Sequence, residues 1–493
     1  MLSGNEKGRA LIHILTVIIG TTLGAAVLFL LYNYSMIKVG AVVFGIAVVT
    51  FLLTQKRMAK NLLLILAILT MTNMQILELY KDSFTQVFFS PMDFPLVIVA
   101  IIFLVRIVAF DSTPKLIAPD VAFICFIVWN VISVFTSTHT FVAMIEVMQL
   151  IKVFILSFCL RHFIRTYEDL RNIFIALGVN ILIQGALTAG QIIKGSTLGL
   201  QFLGEIQESE FMYYGFVRYS GLTGFCNIFA ACLTLLIPTF FTLYLVSEKA
   251  LVRAYFLFIF LTSVALLFST YSRSGLISTT FALSLLVILM PKYLAEDGKK
   301  RIRMFVKIGL ASALIFGGIF VVMYGDRLGG TQRGEAAYAR IPSIMLAKEA
   351  ILENPLLGVG SRNYRYLADK YVQKIRFSFT MDAEWASRAY IHNLFFRIAA
   401  ENGLPGLIIF LLFLFLCIQE LKNSLKKLNA DKINHKTSPL LISTGLGIVG
   451  SILFLQFGPE YDMQAMRHTF WLILGVSLIP LLHGERFNTA LKT

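Results

Sequence analysis

Charge is scarce in this chain: Asp, Glu, Lys and Arg make up 14% of its 493 residues, against 57% hydrophobic residues and a mean hydropathy of +0.77. A soluble domain carries about 25% charged residues, so the shortage excludes a water-soluble fold and points to lipid as the solvent. Internal repeats, low-complexity tracts and Pro/Ser-rich linkers are also missing, which argues against a string of separate modules. The few cysteines, Cys125, Cys159, Cys226, Cys232 and Cys417, lie in apolar runs without metal-ligand spacing and read as small core residues. No Gly-x-x-x-x-Gly-Lys-Ser/Thr sequence is present, which speaks against an ATP-driven pump; Gly358-Val359-Gly360 reads as a turn. Asp382 and Glu384, two apart on a loop, are too sparse for a metal site, so neither metal nor cofactor is expected.

What the chain has in abundance is long apolar runs. A hydrocarbon core about 30 Å thick needs about 20 residues of helix. Runs of that kind recur at 10–32, 36–53, 61–78, 94–110, 117–135, 142–160, 169–193, 225–247, 253–271, 275–291, 303–324, 391–418, 438–457 and 467–483. They are apolar on every face, whereas barrel strands would alternate over about 10 residues. The expected fold is therefore all-α, a polytopic integral membrane protein with about 14 transmembrane helices. The first run is about twenty residues long without a small-x-small cleavage site, and is kept as a span.

The net charge of +15 would suggest nucleic acid in a soluble protein, but here the question is which loops hold the cations. Lys56, Arg57 and Lys60; Arg161, Arg165 and Arg171; Lys292, Lys299, Lys300, Arg301 and Arg303; and Lys422, Lys426, Lys427, Lys432 and Lys436 all fall on alternate, short loops. The positive-inside rule makes those loops cytoplasmic, with both termini on the same side, and no nucleic-acid partner is expected. The opposite loops are poor in Lys and Arg except for one long segment. Three regions follow: 1–324 with about 11 spans, an extracytoplasmic loop at 325–390, and 391–493 with about 3 spans.

Within the long loop, Ala336 to Glu353 reads as an amphipathic helix, ended by Asn354-Pro355 and a Gly358–Gly360 turn. A smaller outer loop from Lys194 to Gly224 holds Glu205, Glu208, Glu210, Tyr213 and Tyr214, a mix suited to sugar contact or to the membrane interface. Gly403-Leu404-Pro405-Gly406 should loosen any helix running through it.

Three polar residues at expected membrane boundaries need a reason, because charge there is costly: Arg273, Arg340 and His392. Singly, Arg273 also reads as a snorkelling cation, Arg340 as an exposed helix charge and His392 as an interfacial aromatic. Arg397 and Glu401, four apart on one helix, read either as mutual neutralisers or as secondary binding residues.

Together these residues sit in a recognisable order. Ser272-Arg273-Ser274-Gly275 follows one span; an outer arginine, Arg340, precedes a helix ending in Asn354-Pro355-Leu356-Leu357-Gly358-Val359-Gly360. His392-Asn393-Leu394 and Glu401-Asn402-Gly403-Leu404-Pro405-Gly406-Leu407 come next. Over roughly Thr262 to Phe415 this series resembles the O-antigen ligase and polymerase superfamily of bacteria, and the amino-terminal half agrees only as a row of spans. The resemblance implies glycosyl transfer on the outer face of the bacterial cytoplasmic membrane, from a glycan linked through diphosphate to a polyprenyl lipid. Membrane lipid surrounds such a site, and a flippase and a chain-length factor would be its companions.

The resemblance gives Arg273 and Arg340 the diphosphate, a fitting task for a permanently charged planar fork. It makes His392 the base, or the group that orients the acceptor, since a sugar hydroxyl is a poor nucleophile at neutral pH. More spans than expected of a ligase favour a polymerase, with a teichuronic-acid-type wall polysaccharide as one product. A ligase acting on another acceptor, and a lipid-linked glycan flippase, stand as the other readings. A flippase would show paired halves and broken helices at matching positions, and neither is seen.

Overall fold

The computed structural model describes residues 58–74, 77–81, 86–110, 114–208, 212–213, 216–309, 340–374, 391–429, 434–458, 461 and 463–489. Its helices are α1 (Met58–Leu69), α2 (Asp93–Phe110), α3 (Ala118–Ser133), α4 (Thr140–Phe163), α5 (Tyr167–Lys194), α6 (Cys226–Val246), α7 (Ala250–Ser269) and α8 (Arg273–Leu289). These are followed by α9 (Arg340–Glu353), α10 (Tyr364–Val372), α11 (Leu394–Leu428), α12 (Thr437–Phe454) and α13 (Gln464–Thr489). A further helical stretch covers 296–309. Among the described residues eight helices are long and apolar enough to cross a membrane, and the chain is an all-α, multi-pass membrane protein.

The expected spans from 94 onwards coincide with helices to within a few residues at their starts, because long apolar runs bounded by Gly, Pro or charge leave little choice of register. The expected spans at 10–32 and 36–53 and most of 303–324 lie outside the described residues. One expectation is corrected. The run 61–78 is not helical throughout: α1 ends at Leu69, and Leu77–Lys81 pairs antiparallel with Gln86–Phe89. Hydropathy alone could not tell an apolar hairpin from the end of an apolar helix. A second hairpin pairs Met212–Tyr213 with Phe216–Val217 between α5 and α6.

The bundle is organised around α6, which is buried along nearly its whole length and packs against α7, α8, α12 and α13. The lipid-facing surface is apolar instead of charged. On α11, Leu404, Ile408, Leu411, Leu412, Phe415 and Ile418 are exposed at helical spacing, as a hydrocarbon solvent permits. Cys159, Cys226, Cys232 and Cys417 are buried as expected of core residues, whereas Cys125 is exposed on the outer surface of α3.

Several charges expected in basic loops are tied into the bundle. Arg161 lies inside α4, buried and hydrogen-bonded to both oxygens of the buried Asp120, and Lys60 reaches Asp169 at 2.6 Å. Glu205, between α5 and α6, is buried and accepts from Gln191 Nε2 (2.7 Å) and from the backbone N–H groups of Leu198 (2.6 Å) and Leu200 (2.7 Å). That carboxylate orders its own loop.

The segment between α8 and α11 has its own small core. Leu346, Ala347 and Ala350 of α9 meet Tyr364, Ala368 and Tyr371 of α10, with Val359, Ile391 and Ala400 closing it. Glu353 links the two helices by hydrogen bonds to Lys370 and Lys374, which hold its carboxyl below the usual range. Burial pushes the Tyr371 hydroxyl up to about 12, so the ring stays neutral under all ordinary conditions.

Candidate functional site

The two sequence signatures of the long loop and α11 are physically one feature. Within α11, Gly403 breaks the helix at φ 71°, ψ 177°, and Pro405 has no N–H to return to Glu401. A break of this kind orphans the carbonyls of residues 400–402 in an interior where each lost bond is expensive. They are recaptured from outside the helix. Val359 N–H donates to Ala400 O (3.0 Å), Gly360 N–H to Glu401 O (2.9 Å), Ser133 Oγ to Glu401 O (3.2 Å) and Trp129 Nε1 to Asn402 O (2.8 Å). The Leu404 N–H, diverted from Ala400, donates to Pro355 O at 2.8 Å. The Asn-Pro-Leu-Leu-Gly-Val-Gly turn is thus docked on the Glu-Asn-Gly-Leu-Pro-Gly kink by backbone bonds in both directions.

Gly403 is required by contact as well as by conformation, since a Cβ there would lie 2.0 Å from the Leu356 carbonyl oxygen. Gly403→Ala is expected to cost about 2–5 kcal/mol, the sum of left-handed strain and forced overpacking. Gly195→Ala is the control: its φ is also positive at 68°, but nothing lies within 4 Å of the added carbon. It should cost only about 1–2 kcal/mol. Thermal unfolding midpoints of the two purified variants measure the difference, and equal losses would remove the contact argument.

The kink positions the segment in front of it. His392 is half-buried just before α11, and its backbone N–H lies 3.4 Å from Ser343 Oγ on α9, one turn beyond Arg340. Asn393 caps α11, its Oδ1 accepting from the N–H groups of Phe395 and Phe396 at 3.0 Å each, and Leu394 N–H donates to Leu455 O at the end of α12 (3.0 Å). His392 is therefore fixed between the loop helix and the bundle. Arg340 is the first residue of α9, and its side chain lies outside the described residues.

Arg273 opens α8, half-buried, where Ser272 caps the helix by accepting from Gly275 N–H (3.3 Å) and Tyr271 turns the chain at φ 51°. α12 packs along α8, so the end of α12 that receives Leu394 belongs to the same end of the bundle as Arg273. The structure thus brings His392 to the helix that Arg340 opens, and places Arg273 at the same end of the bundle. Arg218, which carried no sequence signal, joins Arg273 there: its Nε donates to Thr270 O (2.9 Å) and its Nη2 to Asn227 Oδ1 (2.7 Å).

Arg397 and Glu401 are both buried, and Arg397 Nε lies 3.2 Å from Glu401 Oε2, as expected for a neutralising pair. Beside them is a cluster the sequence did not announce. Arg467 of α13 makes a two-pronged contact with Glu146 of α4, Nη1 to Oε2 at 3.1 Å and Nη2 to Oε1 at 2.9 Å. Arg362 reaches the same carboxylate at 2.7 Å from the turn after Gly360, with its own backbone at φ 58°. Arg467 also donates Nε to Tyr461 O (3.2 Å) and stands over the Tyr461 ring, whose hydroxyl accepts from Trp471 Nε1 (2.9 Å). Ser361 Oγ lies 2.6 Å from Asn130 Oδ1 and 2.9 Å from Asn402 Oδ1. Glu146, Arg397, Glu401, Asn130, Ser361 and Tyr461 line a cavity of about 20 Å³, space for a single water and not for a sugar. The only signal for the Glu146–Arg467 pair was a lone charge of each sign inside apolar runs more than 300 residues apart.

Among the described residues no three His, Cys, Asp or Glu side chains are grouped to hold a metal ion. The arrangement offers arginines, one histidine and backbone-stapled turns, the equipment for binding an anion and steering a proton. Against known proteins, residues 257–411 match the family model described as O-antigen ligase, a stretch running from α7 through the first half of α11. No curated protein matches the chain. The matched stretch holds Arg273, Arg340, His392, Arg397 and Glu401 together with both stapled motifs, and over it the chain is similar to the O-antigen ligase family.

Proposed function

We propose that the chain polymerises polyprenyl-diphosphate-linked oligosaccharide repeats into a surface or wall polysaccharide, at the extracytoplasmic face of a bacterial cytoplasmic membrane. The observation that carries it is His392, anchored by its backbone to the helix that Arg340 opens, inside the stretch matching the ligase family. The acceptor hydroxyl oxygen bonds to the anomeric carbon as the bond from that carbon to the diphosphate oxygen breaks. The electron pair leaves with the diphosphate, which Arg273 and Arg340 bind, and the hydroxyl proton is taken or guided by His392. Arg397 and Glu401, buried behind His392, hold the start of α11 in place. The donor carries the energy.

Purified protein in detergent should convert lipid-linked repeats to longer chains, because transfer needs no sealed membrane, whereas a flippase would do nothing measurable there. The family description favours one second reading, a ligase. It would instead move a finished chain to a different acceptor and leave repeats unlengthened. Arg273→Lys and Arg340→Lys should each lose most activity at normal abundance, because an ammonium keeps the charge and loses the fork. Full polymer length from both lysine variants would remove them from the site.

The orientation follows from the short basic loops. Single cysteines at Lys370 on α10 and at Lys300 should label with an impermeant reagent from opposite sides of the membrane. Labelling from one side would place the site and the basic loops together and overturn the outer-face reading.

A further inference from the structure

α9 has two apolar faces, and among the described residues only one of them is covered. Leu346, Ala347 and Ala350 point into the small core shared with α10. On the opposite side Ile341, Met345, Lys348 and Leu352 fall within about 60° of one another at 3.6 residues per turn. The three apolar members of that stripe, and Leu356 just beyond the helix, are 43% to 69% exposed. Single exposed apolar side chains need no explanation, whereas an aligned row of them does. The row also continues into a surface that meets lipid. Leu404 N–H donates to Pro355 O (2.8 Å), which sets Leu356 beside Leu404, and Leu404 begins the exposed face of α11 that runs on through Ile408, Leu411, Leu412 and Phe415. Charge lies on another flank of α9: Glu353, about a third of a turn round from the stripe, meets Lys370 on α10 and Lys374 just after it.

The break in α11 sets how α9 lies. Leu421 rests against Gly445 and Leu394 bonds Leu455, two levels about 15 Å apart along α12 but about 40 Å apart along α11. The two halves of α11 therefore fold back toward each other at Gly403, so that Leu394 and Phe410 line one small cavity. α9 is fastened alongside the first half, by Ser343 against His392 in its first turn and by Pro355 against Leu404 after its end. It consequently lies across the end of the bundle instead of standing out from it. A helix in that position, with charge on one flank and an apolar stripe joined to the lipid-facing surface, has the form of an interfacial helix.

We propose that α9 lies in the membrane interface, with Ile341, Met345, Leu352 and Leu356 inserted among the acyl chains of the adjoining leaflet and Lys348 reaching to the lipid phosphates. Burial of about 5–10 Å is usual for such helices, and a lysine stem can follow apolar surface while its head stays in the polar layer. Arg340 opens this helix, so the proposed transfer site stands at the lipid surface and not out in water. The proposal does not depend on glycosyl transfer, and its test reads lipid contact alone, so failure of either leaves the other standing.

The test is the accessibility of single nitroxide labels on the full chain in nanodiscs of phosphatidylcholine and phosphatidylglycerol, with the exposed cysteine removed by Cys125→Ala. Labels at Met345→Cys, Leu352→Cys and Leu356→Cys are compared with Ile408→Cys on the lipid-facing surface of α11 and Asp369→Cys on α10. Oxygen partitions into hydrocarbon, and a neutral nickel chelate stays in water. The oxygen-to-nickel collision ratio at the three positions should match that at Ile408 and exceed that at Asp369 several-fold. Leu352→Asn/Leu356→Asn should loosen the helix from the leaflet and raise nickel collisions at a Met345 label, while the ratio at Ile408 stays unchanged and marks an intact bundle. Ratios like that at Asp369 would put the stripe in water and overturn the proposal. Few collisions with either reagent would mean that protein covers it, another segment of the chain or a second copy, and would overturn it as well. The three positions are read separately, so loss of one labelled protein leaves two to decide.

Discussion

His392→Ala is expected to slow single-turnover transfer by about 10²–10⁴-fold, the range for loss of a general base, while donor binding is largely retained. In activation free energy that is about 3–5.5 kcal/mol. The structure makes this variant a clean one. The segment is anchored through the His392 backbone N–H to Ser343, through Asn393 at the α11 cap and through Leu394 to the end of α12, none of which needs the imidazole. Those backbone anchors remain when the ring is removed. If the ring takes the proton, the pH–rate profile also loses its acidic limb; if it only orients the acceptor, the rate falls and the limb stays. Donor affinity and single-turnover rate on the same purified protein separate these from a structural histidine, which would lower both together. Wild-type turnover with an unchanged profile would leave an arginine-only account of the transfer.

Most of the helices were legible because the lipid solvent imposes one simple rule, an uninterrupted apolar run of sufficient length, and α3 to α8, α11 and α12 obey it. The rule placed the end of the run at 61–78 too late, because scattered Met, Ile and Leu residues keep the hydropathy up past Leu69, where α1 ends. The motif residues were legible for a different reason. Gly358, Gly360, Gly403 and Pro405 are demanded by the backbone staple between the two motifs, so their spacing is fixed by hydrogen-bond geometry. What the sequence reading took as a turn and a loosened helix are the two halves of one joint.

The buried charges were illegible because pairing between distant spans leaves no local pattern. Glu146 falls inside the run 142–160, Arg467 at the start of the run 467–483 and Arg362 in the long loop, with nothing local to link them. Only the packing of α13 on α4, and the delivery of Arg362 by the stapled turn, makes them neighbours. The joint and the charge cluster are thus one assembly. The turn docked on α11 through Val359 and Gly360 puts Arg362 two residues later against Glu146.

Glu146→Gln is accordingly expected to destabilise the protein by about 3–5 kcal/mol, the cost of removing one partner from a buried ion pair. Glu146 and Arg467 are 4% and 2% exposed, so water cannot take the place of the missing charge. Arg467→Met should cost a similar amount, because it leaves the carboxylate with the less buried Arg362. The double variant Glu146→Leu/Arg467→Met should be less damaging than the sum of the two, since paired apolar residues of similar volume need no desolvation. Unfolding midpoints of the four proteins give the coupling directly, and singles as stable as wild type would mean the pair carries no weight. Activity of the double variant then decides a second question. If the cluster only braces α4 against α13, the double variant regains transfer along with its stability. If Glu146 also positions Arg362 and the turn stapled to α11, stability returns while the single-turnover rate stays low, because Arg362 has lost the carboxylate that draws it toward α4.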